Sequence, residues 1–157
     1  MKSLISVLLM TSVFVFGFSA FAHDPSHADA HLVFAKAGLH AHVKWEAESP
    51  RQDGQESLLI LEFRDAKTHQ PIEITSIPEV SLWMKDMGHG SAPTAIQRVL
   101  DANGNVVTGQ YRVSNVFFIM DGTWDVRVSI KSADGSKEMQ SFEEDIKSGR
   151  SNHGGHH

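Results

Sequence analysis

The stretch Trp83-Met84-Lys85-Asp86-Met87-Gly88-His89-Gly90 brings two thioethers and one imidazole together in a chain that has no cysteine. These are soft and borderline donors, and copper is the metal they suit best. Thioether sulfur prefers Cu(I), whereas imidazole accepts either copper oxidation state. Met84, Met87 and His89 would make a low-coordinate Cu(I) site if a bend at Gly88 turned their side chains toward one ion. Met120, in another short turn, is a fourth candidate. The competing reading is packing: Met84 alternates with Val80 and Leu82, methionine commonly fills gaps in cores, and only Met87 and His89 would then be exposed.

The chain has ten histidines, eight of which gather as His23, His27 and His31, then His40 and His42, then His153, His156 and His157. Cleavage of a leader after Ala22 would make His23 the amino terminus. A first-position histidine binds copper through its α-amine and ring nitrogen together, and such nitrogen ligands favour Cu(II). Protons compete below the α-amine pKa of roughly 7.7–8. A solvated metal-scavenging tract is the alternative for His23, His27 and His31. His40 and His42 occupy i and i+2 on one strand face, roughly 6.5–7 Å apart at Cα. They would flank one ion if a third ligand arrived, and are otherwise a surface pair. His69, in Thr68-His69-Gln70-Pro71, reads as a turn residue without an assigned role.

Catalysis has little support. Asp125, Glu143, Glu144 and Asp145 sit on strand faces or in a charge run and read as solvation. No Ser, His and Asp stand in a context that marks a triad, so the expectation is a protein that is not an enzyme.

Residues 1–22 read as a secretory signal, with Lys2 at the charged start, an apolar run over 4–18 and Ala20-Phe21-Ala22 as the cleavage site. That run is shorter than the ~20 residues a spanning helix needs. The expectation is a periplasmic or secreted protein with no stable membrane insertion after cleavage. Export permits disulfides, but without cysteine the fold must rest on its own core, and Cys-type zinc sites are excluded. Removing 22 of 157 residues leaves 135, the size of one domain. Loss of Lys2 takes the formal charge from −5 to −6, which argues against a nucleic-acid partner and suits cations.

The expected organisation is a His-rich arm over 23–37, a folded domain over 38–147 and a Gly/His-rich tail over 148–157, with order starting near Leu32. Leu39, Ala41, Val43 and Trp45 alternate with His40, His42, Lys44 and Glu46 as in a half-buried strand. A second strand covers 57–64, with Leu59, Leu61 and Phe63 inward. Pro71 and Pro78 confine the next segment to an edge or to irregular structure. Val80, Leu82 and Met84 form the inward set of a strand that runs into the glycine-bearing loop. Residues 96–100 pair with 106–107 across an Asn-Gly turn, and 111–119 are expected to pair with 123–130 across Met120-Asp121-Gly122. A last strand lies near 138–146. Seven or eight short strands without an amphipathic helix predict an all-β, immunoglobulin-like sandwich.

Leu82-Trp83-Met84-x-x-Met87-Gly88-His89-Gly90, Tyr111 before an apolar strand, and Met120-Asp121-Gly122-Thr123-Trp124-Asp125-Val126 together resemble the YtkA-like domains, which are similar to FixH proteins. The likeness covers roughly 38–146. It implies a small exported or membrane-anchored β-sandwich associated with copper handling or haem-copper oxidase assembly, with Met84, Met87, His89 and Met120 as copper ligands. FixH proteins carry an amino-terminal membrane helix, whereas this chain reads as cleaved, and its His-rich ends exceed the family pattern. Two functions follow as expectations. One is a copper chaperone or buffer holding Cu(I) in the Met/His loop, with Cu(II) at the His-rich termini. The other is a non-enzymatic module docking on a membrane transporter or oxidase assembly component, in which Trp83 beside Met87 forms a contact surface.

Overall fold

A computed structural model describes residues 29–47, 50, 54–132 and 134–147. Nine strands follow in order: β1 (Ala30–Phe34), β2 (Leu39–Trp45), β3 (Ser57–Asp65), β4 (Glu79–Met84), β5 (His89–Gly90), β6 (Ala95–Leu100), β7 (Val106–Val116), β8 (Gly122–Lys131) and β9 (Lys137–Ile146). They form a five-stranded sheet ordered β1-β2-β3-β7-β6 and a four-stranded sheet ordered β5-β4-β8-β9. All strand pairs are antiparallel. The all-β sandwich is therefore as expected, with no helix among the described residues.

Alternation decides which side of each strand is dry. Ala41 and Val43 of β2, Leu59, Leu61 and Phe63 of β3, and Val80, Leu82 and Met84 of β4 are all buried, and their neighbours turn outward because successive side chains point to opposite faces. Tyr111 and Val113 of β7 and Trp124, Val126, Val128 and Ile130 of β8 complete one core between the sheets.

Two readings of the sequence change. The segments 106–107 and 111–116, which the sequence presents as two pieces, are one strand, β7, with a bulge at Gly109, φ +71°, where its register with β6 shifts. The hairpin expected across Met120-Asp121-Gly122 does not form. Both edges of β7 are taken by β3 and β6, and both edges of β8 by β4 and β9. The intervening residues cross from one sheet to the other. Phe118, 1 % exposed, anchors that crossing, with its ring centroid 5.9 Å from that of Trp45 and 5.8 Å from that of Trp124. Burial of this aromatic outweighs a turn sequence that lacks the Asn-Gly hairpin signal. Relative to expectation, β1 and the two-residue β5 are additional strands.

Candidate metal centre

The end of the sandwich where β4 turns back into β5 carries the Met/His residues. Lys85-Asp86-Met87-Gly88 is the connecting loop, and Gly88, at φ +64°, takes the left-handed conformation that a side chain would resist. Its N–H donates to the Met84 carbonyl at 3.0 Å. The turn returns the chain so that His89 lies in register with Met84, and Met84 in turn lies in register with Trp124 of β8. Residues paired in this way share a sheet face. Lys85 fixes the root of the loop on the opposite face, with Nζ 2.8 Å from Glu143 Oε1 and 3.0 Å from Asp125 Oδ1. Those bonds, to Glu143 first and then Asp125, hold the ammonium above the ordinary lysine value.

Trp124 ties the second methionine-bearing segment to this row. Its indole Nε1–H donates to the Met120 carbonyl at 3.1 Å, and its ring lies edge-on to His89 with centroids 6.2 Å apart. A methyl added to Gly122 would lie 2.7 Å from Met84 Cε, so the Met84 thioether reaches the start of β8, two residues beyond Met120. Met84 is 3 % exposed, Met87 60 % and Met120 38 %, and His89 is half-buried. His89 Nδ1 stands 3.3 Å from the Gly90 carbonyl. With the proton on Nδ1, that contact is a hydrogen bond and the Nε2 lone pair is left for a metal. The candidate donors from the sequence thus divide into one buried methionine, two exposed ones and a half-buried histidine.

Trp83, on the outer face, is half-buried rather than exposed. The Arg127 guanidinium covers its ring at 5.0 Å. Asp125, read from sequence as a solvated acid, is 4 % exposed. It is buried because Lys85 and Arg127 pair with its two carboxylate oxygens at 3.0 and 3.3 Å, and a carboxylate tolerates such burial only when partnered.

The histidines divide. His23, His27, His153, His156 and His157 lie outside the described residues. His40 and His42 project from the outer face of β2, as expected, and His31 of β1 joins them in register with His42. The His31 ring centroid is 4.7 Å from that of His40 and 4.9 Å from that of His42. His69, at φ +58° beyond β3, brings its ring to 5.9 Å from His40. Burial holds the His42 ring below the ordinary imidazole value, and His31 and Arg64 push it the same way against the opposing Glu62. Sequence reasoning assigned His31 to the arm and so missed this grouping. The signal was the alternation of His31 and Val33 with Leu32 and Phe34. Among the described residues, no three His, Cys, Asp or Glu side chains form a ready-made metal cage.

Two open surface depressions lie elsewhere. One is bordered by Leu39, Ile72, Ile74 and Ile130, the other by Ile77, Val80, Ser91 and Ile96. Neither includes a methionine or histidine. Among the described residues no helix is long and apolar enough to cross a membrane.

A family model described as YtkA-like matches residues 37–129, more than half of the chain. No curated protein and no solved structure matches it.

Proposed function

The chain belongs to the YtkA-like family, and on that premise we propose that it is an exported copper-binding protein, a chaperone or buffer that carries Cu(I) as cargo and performs no bond-making chemistry. The observation that carries this reading is the double engagement of Trp124, whose indole donates to the Met120 carbonyl and packs on the His89 ring. Through it, the backbone of the Met120 segment is tied to the end of the sandwich that carries Met84 and His89. In this reading Met87 and His89 are the accessible ligands, Met84 offers its thioether from the core side, and Met120 is a fourth candidate on the segment that Trp124 holds. A thioether-rich set selects Cu(I) over the harder divalent ions. Exposure of Met87 suits ligand exchange with a partner, since an incoming donor meets that sulfur first. Cu(II) would be taken by nitrogen donors such as the amino-terminal His23.

The test is anaerobic competition for Cu(I) against a chromophoric chelator. One tight equivalent is expected, and joint replacement of Met87 and His89 by Ala should remove it. Undiminished affinity in that double variant would overturn the assignment.

A second reading is favoured by the exposure of Met87, Ile119 and Met120, at 60, 56 and 38 %, which gives this end an apolar surface suited to docking on a membrane transporter or an oxidase assembly component. Chelation separates the two. A docking module keeps its partner after complete removal of copper, whereas a carrier loses the transfer step.

A further inference from the structure

We propose that His31, His40 and His42 form a second metal site, for a borderline divalent first-row ion such as Zn²⁺, on the solvent side of the five-stranded sheet, with His69 within reach as a fourth ligand. The site is independent of the Met/His end. Ala41 and Val43 face the core, so His40 and His42, which alternate with them, face away from it. Trp45, at the other end of β2, packs on Phe118 near Met120. His42 and His40 lie three and five residues back along the strand, roughly 10 and 17 Å at ~3.3 Å per residue.

Two of the three ring spacings already fit one shared ion. With metal–nitrogen bonds of about 2.0–2.1 Å, a ring centroid stands about 3.2 Å from the metal, so two imidazoles separated by 90–110° have centroids about 4.5–5.2 Å apart. His31 meets both partners inside that window, at 4.7 and 4.9 Å. As the side chains stand, no three His, Cys, Asp or Glu among the described residues form a group that could hold a metal ion. His31 is exposed and His40 and His42 only partly covered, so rotation about their side-chain bonds suffices to converge them. His31 comes from the edge strand and the other two from its neighbour. Binding therefore clamps β1 to β2 and draws its stability from the folded register.

The charges around the cluster are accounted for. Arg64 lies in register with His40 and Glu62 with His42. Arg64 is paired to Glu62 and donates to the His69 carbonyl at 3.0 Å, and Lys44 reaches Asp29 at 3.7 Å. The nearby cations are thus matched by carboxylates. Imidazole donors without sulfur select zinc, cupric copper or nickel over Cu(I), so the Met/His reading can fail without touching this one.

Thermal unfolding of the full chain with and without Zn²⁺ tests the site, because only binding to the folded state raises Tm. Zinc held equally well by the folded and unfolded chain leaves Tm unchanged. The expected result is a zinc-dependent rise in Tm that His40→Gln with His42→Gln abolishes and that Met87→Ala with His89→Ala leaves intact. Zinc-induced shifts of the His31, His40 and His42 imidazole resonances in long-range ¹H–¹⁵N spectra give a second readout, in the wild type and without relying on any variant's folding. Shifts confined to other histidines, or a Tm rise that survives in the His40/His42 double variant, would overturn the proposal.

Discussion

Met84 and His89 face each other in register across β4 and β5, one closed into the core and the other at its rim. The pair therefore combines two roles that a stability measurement can separate. Met84 is 3 % exposed, so truncation to Ala should cost about 2–5 kcal/mol, while the volume-conserving Met84→Leu should cost less than about 1.5 kcal/mol. Met87→Ala, on the exposed loop, should stay within about 0.5 kcal/mol. The expected outcome is that Met84→Leu and Met87→Ala both fold and both bind Cu(I) more weakly. Unchanged affinity in Met84→Leu would reduce Met84 to packing and leave the other three residues as the donor set.

Trp124 reports on the same site. Its ring lies edge-on to His89 at 6.2 Å between centroids, whereas Trp83 lies on the outer face beneath Arg127. Copper loading should quench a share of the tryptophan emission, and Trp124→Phe should remove most of that quench and weaken Cu(I) binding, since the indole holds the segments together without being a ligand. Quenching that persists in Trp124→Phe would place the metal elsewhere.

The strands were legible where alternation was strict. Val80, Leu82 and Met84, or Leu59, Leu61 and Phe63, declare an inward face because a one-residue slip would expose all three. The crossing at 117–121 was not legible: Val116 and Phe118 fall out of phase with Tyr111 and Val113, because the chain bulges at Asn115, φ +58°, and a phase break alone does not say that the chain leaves its sheet. What decides it is Phe118 packing on Trp45 and Trp124, residues distant in sequence. For the site, Met87 and His89 were recognisable from donor type and the glycine between them, and His40 with His42 from the strand period. The alternation over 31–34 marks His31 as outward-facing, but its approach to His42 depends on the β1–β2 register, which that alternation does not fix.

Gly109 is where β7 has least tolerance for a side chain. At φ +71°, a methyl group here would lie 2.7 Å from the carbonyl oxygens of both Phe63 and Ile72. Left-handed backbone costs a non-glycine residue roughly 1–2 kcal/mol, and these backbone atoms cannot move aside as a flexible side chain would. Gly109→Ala should therefore lower stability by more than about 2 kcal/mol. Gly104, at φ +82° with nothing within 4 Å, should show only the conformational cost in Gly104→Ala. Equal losses at the two positions in urea unfolding would show that the contacts with Phe63 and Ile72 relax freely.

Tyr111 gives the fold a defined alkaline limit. Its hydroxyl donates to Glu73 Oε1 at 2.7 Å, and burial first, then that hydrogen bond, pushes the phenol up to about 12, against about 10 in an unfolded chain. The folded state keeps the proton longer. The stabilisation is fully present below about pH 10 and is lost as pH rises through about 12. Tyr111 is the single tyrosine of the chain, so phenolate absorbance reads this group alone. The midpoint should lie near 12 in the native protein and fall toward about 10 in denaturant. Lys85, also held above its ordinary value, loses its proton at high pH as well, which makes Tyr111→Phe the necessary control. That variant should lose stability less steeply above pH ~10 than the wild type, because no phenol remains to ionise in the unfolded chain. A native midpoint near that of free tyrosine would show that the Glu73 contact and the burial do not hold the proton in solution.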